Sequence, residues 1–176
     1  FYMDFLKFYN NKKNFRFSSF EFSLNEAFKR GHKTLVETGV ARGKVKFLFF
    51  PKINWKDGMS TMIFSDYAKH VNGHLTSCDI DENNIKNASK FVKKNKDFVT
   101  FVTDDSLNFL KNFNKKIDFL YLDSLDGQFA EASSHQLKEI KIAEHLLHEK
   151  SLVLLDDKGD KTNLSIDYML SKNFKI

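Results

Sequence analysis

Short apolar runs alternate with amphipathic stretches along the chain from Thr34 onward. The apolar runs end in turns or polar residues and predict strands at 34–37, 74–78, 98–102, 117–122 and 152–155. The stretches between them have apolar residues at helical spacing and predict helices at 59–71, 107–113, 129–148, 163–170 and directly after Asp81. This order predicts an α/β fold with a doubly wound, mostly parallel sheet and helices on both faces.

Two of the predicted strands are almost unbroken apolar runs, Ile117–Leu122 and Leu152–Leu155. A strand that is covered by helices on both faces has this composition, so both are expected to be central. The chain begins at Phe1 without a Met, and its last residues, 174–176, resemble the start of a strand. We therefore expect a fragment whose C-terminal strands are truncated.

The first part of the chain, residues 1–33, is predicted to be an N-terminal arm and helix, with one domain at 34–176. Residues 1–20 are rich in Phe and Tyr. Exposed aromatics on an arm favour a lid or an oligomer contact. The alternative is that they pack on the core of the domain, and the sequence does not choose between the two.

Composition limits the classes of protein to which the chain can belong. Its 176 residues suffice for one α/β domain, and 41% hydrophobic content is typical of a globular protein. The single cysteine, Cys78, excludes an internal disulfide and fits a reducing compartment. No apolar run is long enough to span a bilayer and no secretory signal is evident. We expect a cytoplasmic protein without a membrane partner.

The formal net charge of +5 is compatible with a nucleic-acid partner. The lysines, however, are scattered among Asn and Phe along the whole chain and form only short pairs. Scattered lysine is typical of a solvated surface, so the sequence favours a partner other than nucleic acid.

Two polar clusters follow the first predicted strand. The sequence from Glu37 to Gly43, Glu-Thr-Gly-Val-Ala-Arg-Gly, forms a glycine-rich turn that brings the backbone close to a ligand. The sequence from Asp57 to Thr61 opens the next helix, where free N–H groups suit a carboxylate or a phosphate. Each signal alone is weak, because ordinary tight turns share it.

Acidic residues follow the other predicted strands. Asp79 follows the second strand and is free to bind ribose hydroxyls, whereas Asp81 is expected to cap the next helix. Asp104-Asp105-Ser106 can bind an adenine edge or cap a helix, and Asp123-Ser124 and Asp156-Asp157 end the last two strands. Acids at so many successive strand ends exceed what capping requires.

Together these motifs resemble those of class I S-adenosylmethionine-dependent methyltransferases, which have a Rossmann-like fold. Within that class the chain is most similar to small-molecule O-methyltransferases of the macrocin and catechol type, over residues 34–158. The resemblance implies S-adenosylmethionine as cofactor. It implies that Glu37, Gly39 and Ala41 line the methionine part, that Ser60 binds its carboxylate, and that Gly58 belongs to the same cofactor-binding set. It further implies that Asp79 holds the ribose and that the adenine is framed by Ile80, Asp105 and Ser106.

The chain departs from that family in three places. Residues 44–57 form an insertion in the cofactor loop, expected to be a flap over the substrate or an interface. Asp104 replaces the usual glycine before Asp-Ser. Metal-dependent members use acids that Asp123 and Asp157 match, which implies Mg²⁺. Lys158 stands where catechol-type enzymes have Asn, and a lysine there argues against the metal.

The resemblance implies O-methylation of a small hydroxylated molecule such as a sugar. Asp123 is expected nearest the methyl group, as base, metal ligand or acceptor-positioning group, with His135 as the second catalytic candidate. An RNA or protein methyltransferase is the alternative within the enzyme class, favoured by charge alone. A non-catalytic binding or assembly module is the other alternative, with a homo-oligomer formed through the arm or the insertion.

Overall fold

A five-stranded parallel sheet forms the centre of the computed structural model, which describes residues 3–47, 50–57 and 59–176. The strands in chain order are β1 Thr34–Thr38, β2 Lys44–Phe47, β3 Phe50–Ile53, β4 His74–Asp79, β5 Val99–Thr103, β6 Phe119–Leu122 and β7 Leu152–Leu155. The sheet has the order β5-β4-β1-β6-β7 with every pairing parallel, and β2 and β3 form a separate antiparallel pair. The strand order reverses at β1, so the fold is Rossmann-like, as predicted.

Seven α-helices precede, connect or follow the strands in the described part of the chain. They are α1 Leu6–Tyr9, α2 Phe17–Arg30, α3 Ser60–His70, α4 Glu82–Phe91, α5 Ser106–Asn112, α6 Ala132–Ala143 and α7 Asp160–Ser171. The predicted helix at 129–148 is shorter in the structure, because a 3₁₀ turn at Glu144–Leu146 replaces its C-terminal end.

The core has two layers because alternate residues of each strand point to opposite faces of the sheet. On one face, Leu35, Phe119 and Tyr121 pack with residues of α2 and α3. On the other face, Val36 and Leu120 pack with residues of α5 and α6. Helices therefore cover both faces.

The predicted central position of Leu152–Leu155 is wrong for the described residues. β7 pairs only with β6, and its side chains are half-buried. Leu152 and Leu154 contact one core layer while Val153 and Leu155 contact the other, so both faces are covered although the strand lies at an edge. An unbroken apolar run indicates that both faces of a strand are covered, but it does not indicate how many strands pair with it.

The N-terminal segment packs against the sheet's helices. Met3, Leu6 and Tyr9 are buried in the core, and the Tyr9 hydroxyl donates to Asp66 Oδ2 on α3 at 2.6 Å. Phe8 and Phe15 are exposed. Some aromatic side chains of the segment thus pack inside the domain, while others are exposed.

The described residues of the predicted insertion, 44–47 and 50–57, include the β2–β3 pair and a 3₁₀ turn at Trp55–Asp57. The backbone N–H of Asn54 donates to the Gly43 carbonyl at 2.9 Å, which closes the base of this segment. The Trp55 ring lies 5.6 Å from that of Phe8, centroid to centroid, so the segment touches the N-terminal residues. Its role as a flap or interface stays a prediction. Among the described residues, the helices are too short or too polar to cross a membrane.

Candidate active site

The polar residues that follow β1, β4, β5, β6 and β7 all lie at the carboxyl edge of the sheet. Backbone hydrogen bonds fix this alignment: Asp104 N–H donates to the Asp79 carbonyl at 3.1 Å, and Asp123 N–H donates to the Thr38 carbonyl at 2.8 Å. Asp156 N–H donates to the Leu122 carbonyl at 3.2 Å. In sheets of this kind ligands bind at the carboxyl edge, near the point where strand order reverses.

Gly39 forms the sharp turn at the end of β1. Its φ is +82°, and a Cβ at this position would lie 2.1 Å from the Asp123 carbonyl oxygen. Only glycine fits, because the backbone of the turn touches the backbone that follows β6. The turn and Asp123 therefore occupy one continuous site.

Glu37 is completely buried beneath this turn. Its carboxylate accepts hydrogen bonds from the hydroxyls of Ser60, Thr61 and Ser77, and Thr61 Oγ1 also accepts the N–H of Ala41 at 2.8 Å. Burial raises the pKa of Glu37 to about 7, and the three hydroxyls oppose this rise. The cluster shapes the turn from below. The expected contacts of Glu37, Ala41 and Ser60 with the cofactor stay predictions, and Gly58 lies outside the described residues.

Asp79 ends β4 and faces the glycine turn. Its Oδ2 accepts the Val40 N–H at 3.1 Å, and its Oδ1 accepts from Asp81 N–H at 2.8 Å and Asn84 Nδ2 at 3.2 Å. Asp81 caps α4 by accepting the Asn83 N–H, as predicted. A carboxylate offers about four lone-pair positions, so Asp79 retains acceptor capacity for a ligand hydroxyl.

A cavity of about 140 Å³ opens between β1, β4 and β5. The Ile80 side chain on its wall is 74% exposed. Asp105 uses one oxygen to cap α5, and Ser106 Oγ lies 3.0 Å from His135 Nε2. Five of the residues predicted to bind the cofactor line this cavity, as does His135. The full lining is Gly39, Cys78, Asp79, Ile80, Asp104, Asp105, Ser106, Ser124, Leu125 and His135.

Sequence reasoning missed Glu139, which lies behind this cavity. Its side chain is 1% exposed, and its Oε1 lies 3.9 Å from His135 Nε2. Burial raises the pKa of Glu139, while the nearby hydroxyls of Ser106 and Ser124 and the His135 ring limit the rise. Its spacing of four residues from His135 was the available signal, because such a pair shares one helical face.

Three carboxylates meet on the other side of Gly39. Asp123, Asp156 and Asp157 each place one oxygen within 4.8 Å of the others, and Tyr121 OH lies 3.3 Å from Asp123 Oδ2. Lys161, in the first turn of α7, places Nζ 3.3 Å from Asp123 Oδ1 and 3.4 Å from Asp157 Oδ2. We call Asp123, Asp156, Asp157 and Lys161, together with Arg16 described next, the charged cluster.

Arg16 completes the charged cluster from the N-terminal segment. Its Nε and Nη2 donate to the two oxygens of Asp156 at 2.7 and 2.6 Å, and its Nη1 donates to the Lys56 carbonyl at 2.9 Å. This fork geometry is the strong form of an arginine–carboxylate pair. Arg16 thereby joins the N-terminal segment and residues 44–57 to the end of β7.

The electrostatics of the cluster centre on Asp123. Burial and the neighbouring carboxylate of Asp156 raise the pKa of Asp123 well above its usual range, while Lys161 and Arg16 lower it. A carboxylate whose pKa lies near neutrality is suited to accept a proton as a general base.

The Mg²⁺ that the sequence resemblance implied does not fit this cluster. Oxygen donors of the right type are present. The sequence analysis named Asp123 and Asp157 as metal candidates, and the structure adds Asp156 to them. However, these carboxylates already have cationic partners: Arg16 pairs with Asp156, and Lys161 pairs with Asp123 and Asp157. The lysine that meets them is Lys161, whereas Lys158, on which the sequence argument rested, is exposed.

A second cavity, of about 480 Å³, lies beside the cluster. Its volume is in the range of small-molecule sites. Its lining is almost wholly polar or charged: Asp126, Gly127, Gln128, Asp157, Lys158, Asp160 and Lys161. We call it the acceptor cavity, after the role that we propose for it below.

Comparison with known proteins places this site in a family. The family model described as a methyltransferase domain matches residues 55–158, which include the ends of β4, β5, β6 and β7. The chain belongs to the methyltransferase-domain family. No curated protein sequence matches the chain.

Solved methyltransferase structures share the fold. The methyltransferase PaMTH1 of Podospora anserina, bound to S-adenosylhomocysteine (SAH), has 17% identity and a TM-score of 0.56, and the match covers 76% of this chain and 49% of that one. The chain thus spans about half the length of PaMTH1. An O-methyltransferase of Bacillus cereus in complex with SAH has 12% identity and a TM-score of 0.56, covering 85% and 69%. An rRNA methylase of Streptococcus thermophilus has 10% identity and a TM-score of 0.59, covering 85% and 76%.

Proposed function

We propose that this methyltransferase domain uses S-adenosylmethionine to methylate a hydroxyl oxygen of a small polar molecule such as a sugar. The observation that carries the proposal is the position of Asp123. Its backbone touches the Gly39 turn, and its side chain belongs to the charged cluster beside the acceptor cavity. One residue therefore links the cofactor side and the acceptor side of the site.

The residues of the smaller cavity suit the cofactor. Gly39 leaves room for close approach of a ligand to the backbone, and Asp79 has acceptor capacity for a ribose hydroxyl. Ile80 offers exposed apolar surface to a purine ring, with Ser106 and His135 as polar partners. Bound there, S-adenosylmethionine supplies a methyl group already activated by its sulfonium.

The protein's chemical task is then to orient the acceptor and to remove its hydroxyl proton. Transfer of the methyl group would break its bond to sulfur, form a bond to the acceptor oxygen and release SAH together with the hydroxyl proton. Asp123, whose pKa is raised, would accept that proton. Arg16 and Lys161 hold the surrounding carboxylates in place.

An RNA acceptor is the competing proposal. The net charge of +5 and the named activity of the Streptococcus thermophilus neighbour favour it. The lining of the acceptor cavity opposes it, because its three carboxylates outnumber its two lysines and leave a net negative charge, which disfavours a phosphate backbone. A polar small molecule, whose hydroxyls can bind to these carboxylates, fits the cavity better.

The test measures SAH release from S-adenosylmethionine with a panel of monosaccharides and phenolic alcohols, and separately with total RNA. We expect turnover with a small hydroxylated acceptor and none with RNA. Asp123→Asn is expected to lower kcat by about 10²–10⁴-fold, the usual contribution of a general base, with cofactor affinity nearly unchanged. Turnover with RNA alone, or full activity of Asp123→Asn, contradicts the proposal.

A further inference from the structure

Lys161 lies between two carboxylates, in a turn of a helix where the helix itself disfavours positive charge. It stands in the first turn of α7, which begins at Asp160. The helix dipole disfavours positive charge at this end. The Lys161 side chain is nonetheless 3% exposed, with Nζ between Asp123 Oδ1 and Asp157 Oδ2. A buried lysine at a helix N-terminus is tolerated only if its partners compensate for it, and here two carboxylates do so.

Charge balance shows what the cluster can accept. Three carboxylates carry a formal charge of −3 when ionised, and Lys161 with Arg16 carries +2, so the cluster holds −1. A divalent cation added to this set would make it +1 and would lie against the Lys161 ammonium. To bind, the ion would have to displace Lys161 from its carboxylates and leave a buried ammonium without partners, which costs several kcal/mol.

We propose that Lys161 is the resident cation of the acceptor site and takes the place of a divalent metal ion. The part that concerns methyl transfer rests on the proposed function, whereas the part that concerns cation binding does not. An ammonium has three N–H donors. Asp123 and Asp157 accept two of them, and the third has no partner among the described residues.

Lys161 also lines the acceptor cavity, and the proposal assigns its third donor to an acceptor oxygen there. A hydrogen bond from a fixed ammonium stabilises negative charge as it develops on that oxygen. It requires no metal and no movement of the carboxylates. This placement distinguishes Lys161 from Arg16, whose fork is used on Asp156 and on the Lys56 carbonyl.

The experiment is a calorimetric titration with Mn²⁺, which favours the same oxygen donors as Mg²⁺. It compares the wild type with Lys161→Met, which removes the charge, and Lys161→Arg, which keeps it. Lys158→Met is the matched control for cation binding, because Lys158 is exposed and lines the same cavity. We expect no saturable binding to the wild type, Lys161→Arg or Lys158→Met, and new binding to Lys161→Met.

Two further readouts keep the test decisive. If Lys161→Met does not fold, the wild-type titration decides the question: saturable Mn²⁺ binding that Asp123→Asn abolishes overturns the proposal, and its absence upholds it. In the methyl-transfer assay, chelator should leave wild-type turnover unchanged, and Lys161→Met should lower kcat with cofactor affinity retained. Loss of activity with chelator and its return with Mg²⁺ overturn the proposal, whereas a chain with no turnover at all affects only the proposed function.

Discussion

Asp79 and Asp81 lie two positions apart at the end of β4, and their hydrogen bonds separate their roles. Asp81 accepts the Asn83 N–H and caps α4, a local pattern that the sequence alone predicts. Asp79 instead accepts the N–H of Val40, which is distant in sequence. Spacing alone predicts the first role, whereas the second needs the parallel pairing of β1 with β4.

Replacing Asp79 by Ala should weaken binding of S-adenosylmethionine about tenfold to hundredfold. The reason is the loss of a charge-assisted hydrogen bond to the ribose, worth about 1.5–3 kcal/mol. Calorimetric titration measures the change, and Asp81→Ala is the matched control, since it removes an acid of the same loop that only caps a helix. Equal affinity of a folded Asp79→Ala protein and the wild type would show that Asp79 is not the ribose ligand.

Glu37 makes stability depend on pH. Its pKa is about 7 in the folded protein against an ordinary value of 4.5, so the folded state binds more protons than the unfolded state between these values. The stabilisation of the protonated form is therefore fully present below about pH 4.5 and is lost as pH rises through 7. The shift corresponds to about 3 kcal/mol.

Glu37→Gln should remove this pH dependence. Denaturant unfolding at several pH values should show the wild type losing stability relative to the variant between pH 4.5 and 7. Glu149→Gln replaces an exposed acid and is the control. A difference between wild type and Glu37→Gln that does not change with pH would mean that Glu37 is ionised throughout.

The turn after β1 rests on a glycine that no other residue can replace. Gly39 and Gly31 both have positive φ, +82° and +74°, but a Cβ at Gly31 would meet no atom within 4 Å. A Cβ at Gly39 would meet the Asp123 carbonyl oxygen at 2.1 Å. Alanine at Gly31 would therefore add only the strain of a left-handed backbone, whereas alanine at Gly39 would add that strain and a steric clash within the site.

Gly31→Ala should cost about 1–2 kcal/mol of stability, the ordinary strain of this conformation, and leave SAH affinity unchanged. Gly39→Ala should destabilise the protein further and lower SAH affinity, because the turn must move away from Asp123. Thermal unfolding and calorimetry on both variants test this. Equal effects of the two substitutions would contradict the close contact between the turn and the backbone after β6.

The secondary-structure elements were more predictable from sequence than the contacts between elements that are distant in sequence. The five strands of the main sheet follow from hydrophobic periodicity, whereas β2 and β3 were not predicted. Within the described residues β7 lies at an edge of the sheet and not at its centre, although its two covered faces resemble those of a central strand. The contact between Arg16 and Asp156 spans 140 positions and has no local signal. Glu139 lies four positions after His135, which is a local signal, but its burial depends on the packing of α6 against α5, which has none.

At the level of the whole molecule, the grouping of the strand-end acids at one edge of the sheet was predictable, whereas on the proposed acceptor side only Asp123 and Asp157 were. The acids at successive strand ends repeat in a fixed order along the chain, so their joint spacing predicts one edge of one sheet. The acceptor side joins the N-terminal segment, residues 44–57 and the first turn of α7, and sequence order does not bring these together. Its cations, Arg16 and Lys161, became evident only from the geometry.

Calorimetric titration of the wild-type chain with SAH tests the central claim most directly, because it requires neither the acceptor nor the metal question to be settled. We predict saturable binding to one site per chain, weakened in both Asp79→Ala and Gly39→Ala and retained in Asp81→Ala and Gly31→Ala. Absence of binding by the folded wild type, or binding that neither Asp79→Ala nor Gly39→Ala weakens, would contradict a cofactor site at the carboxyl edge of the sheet.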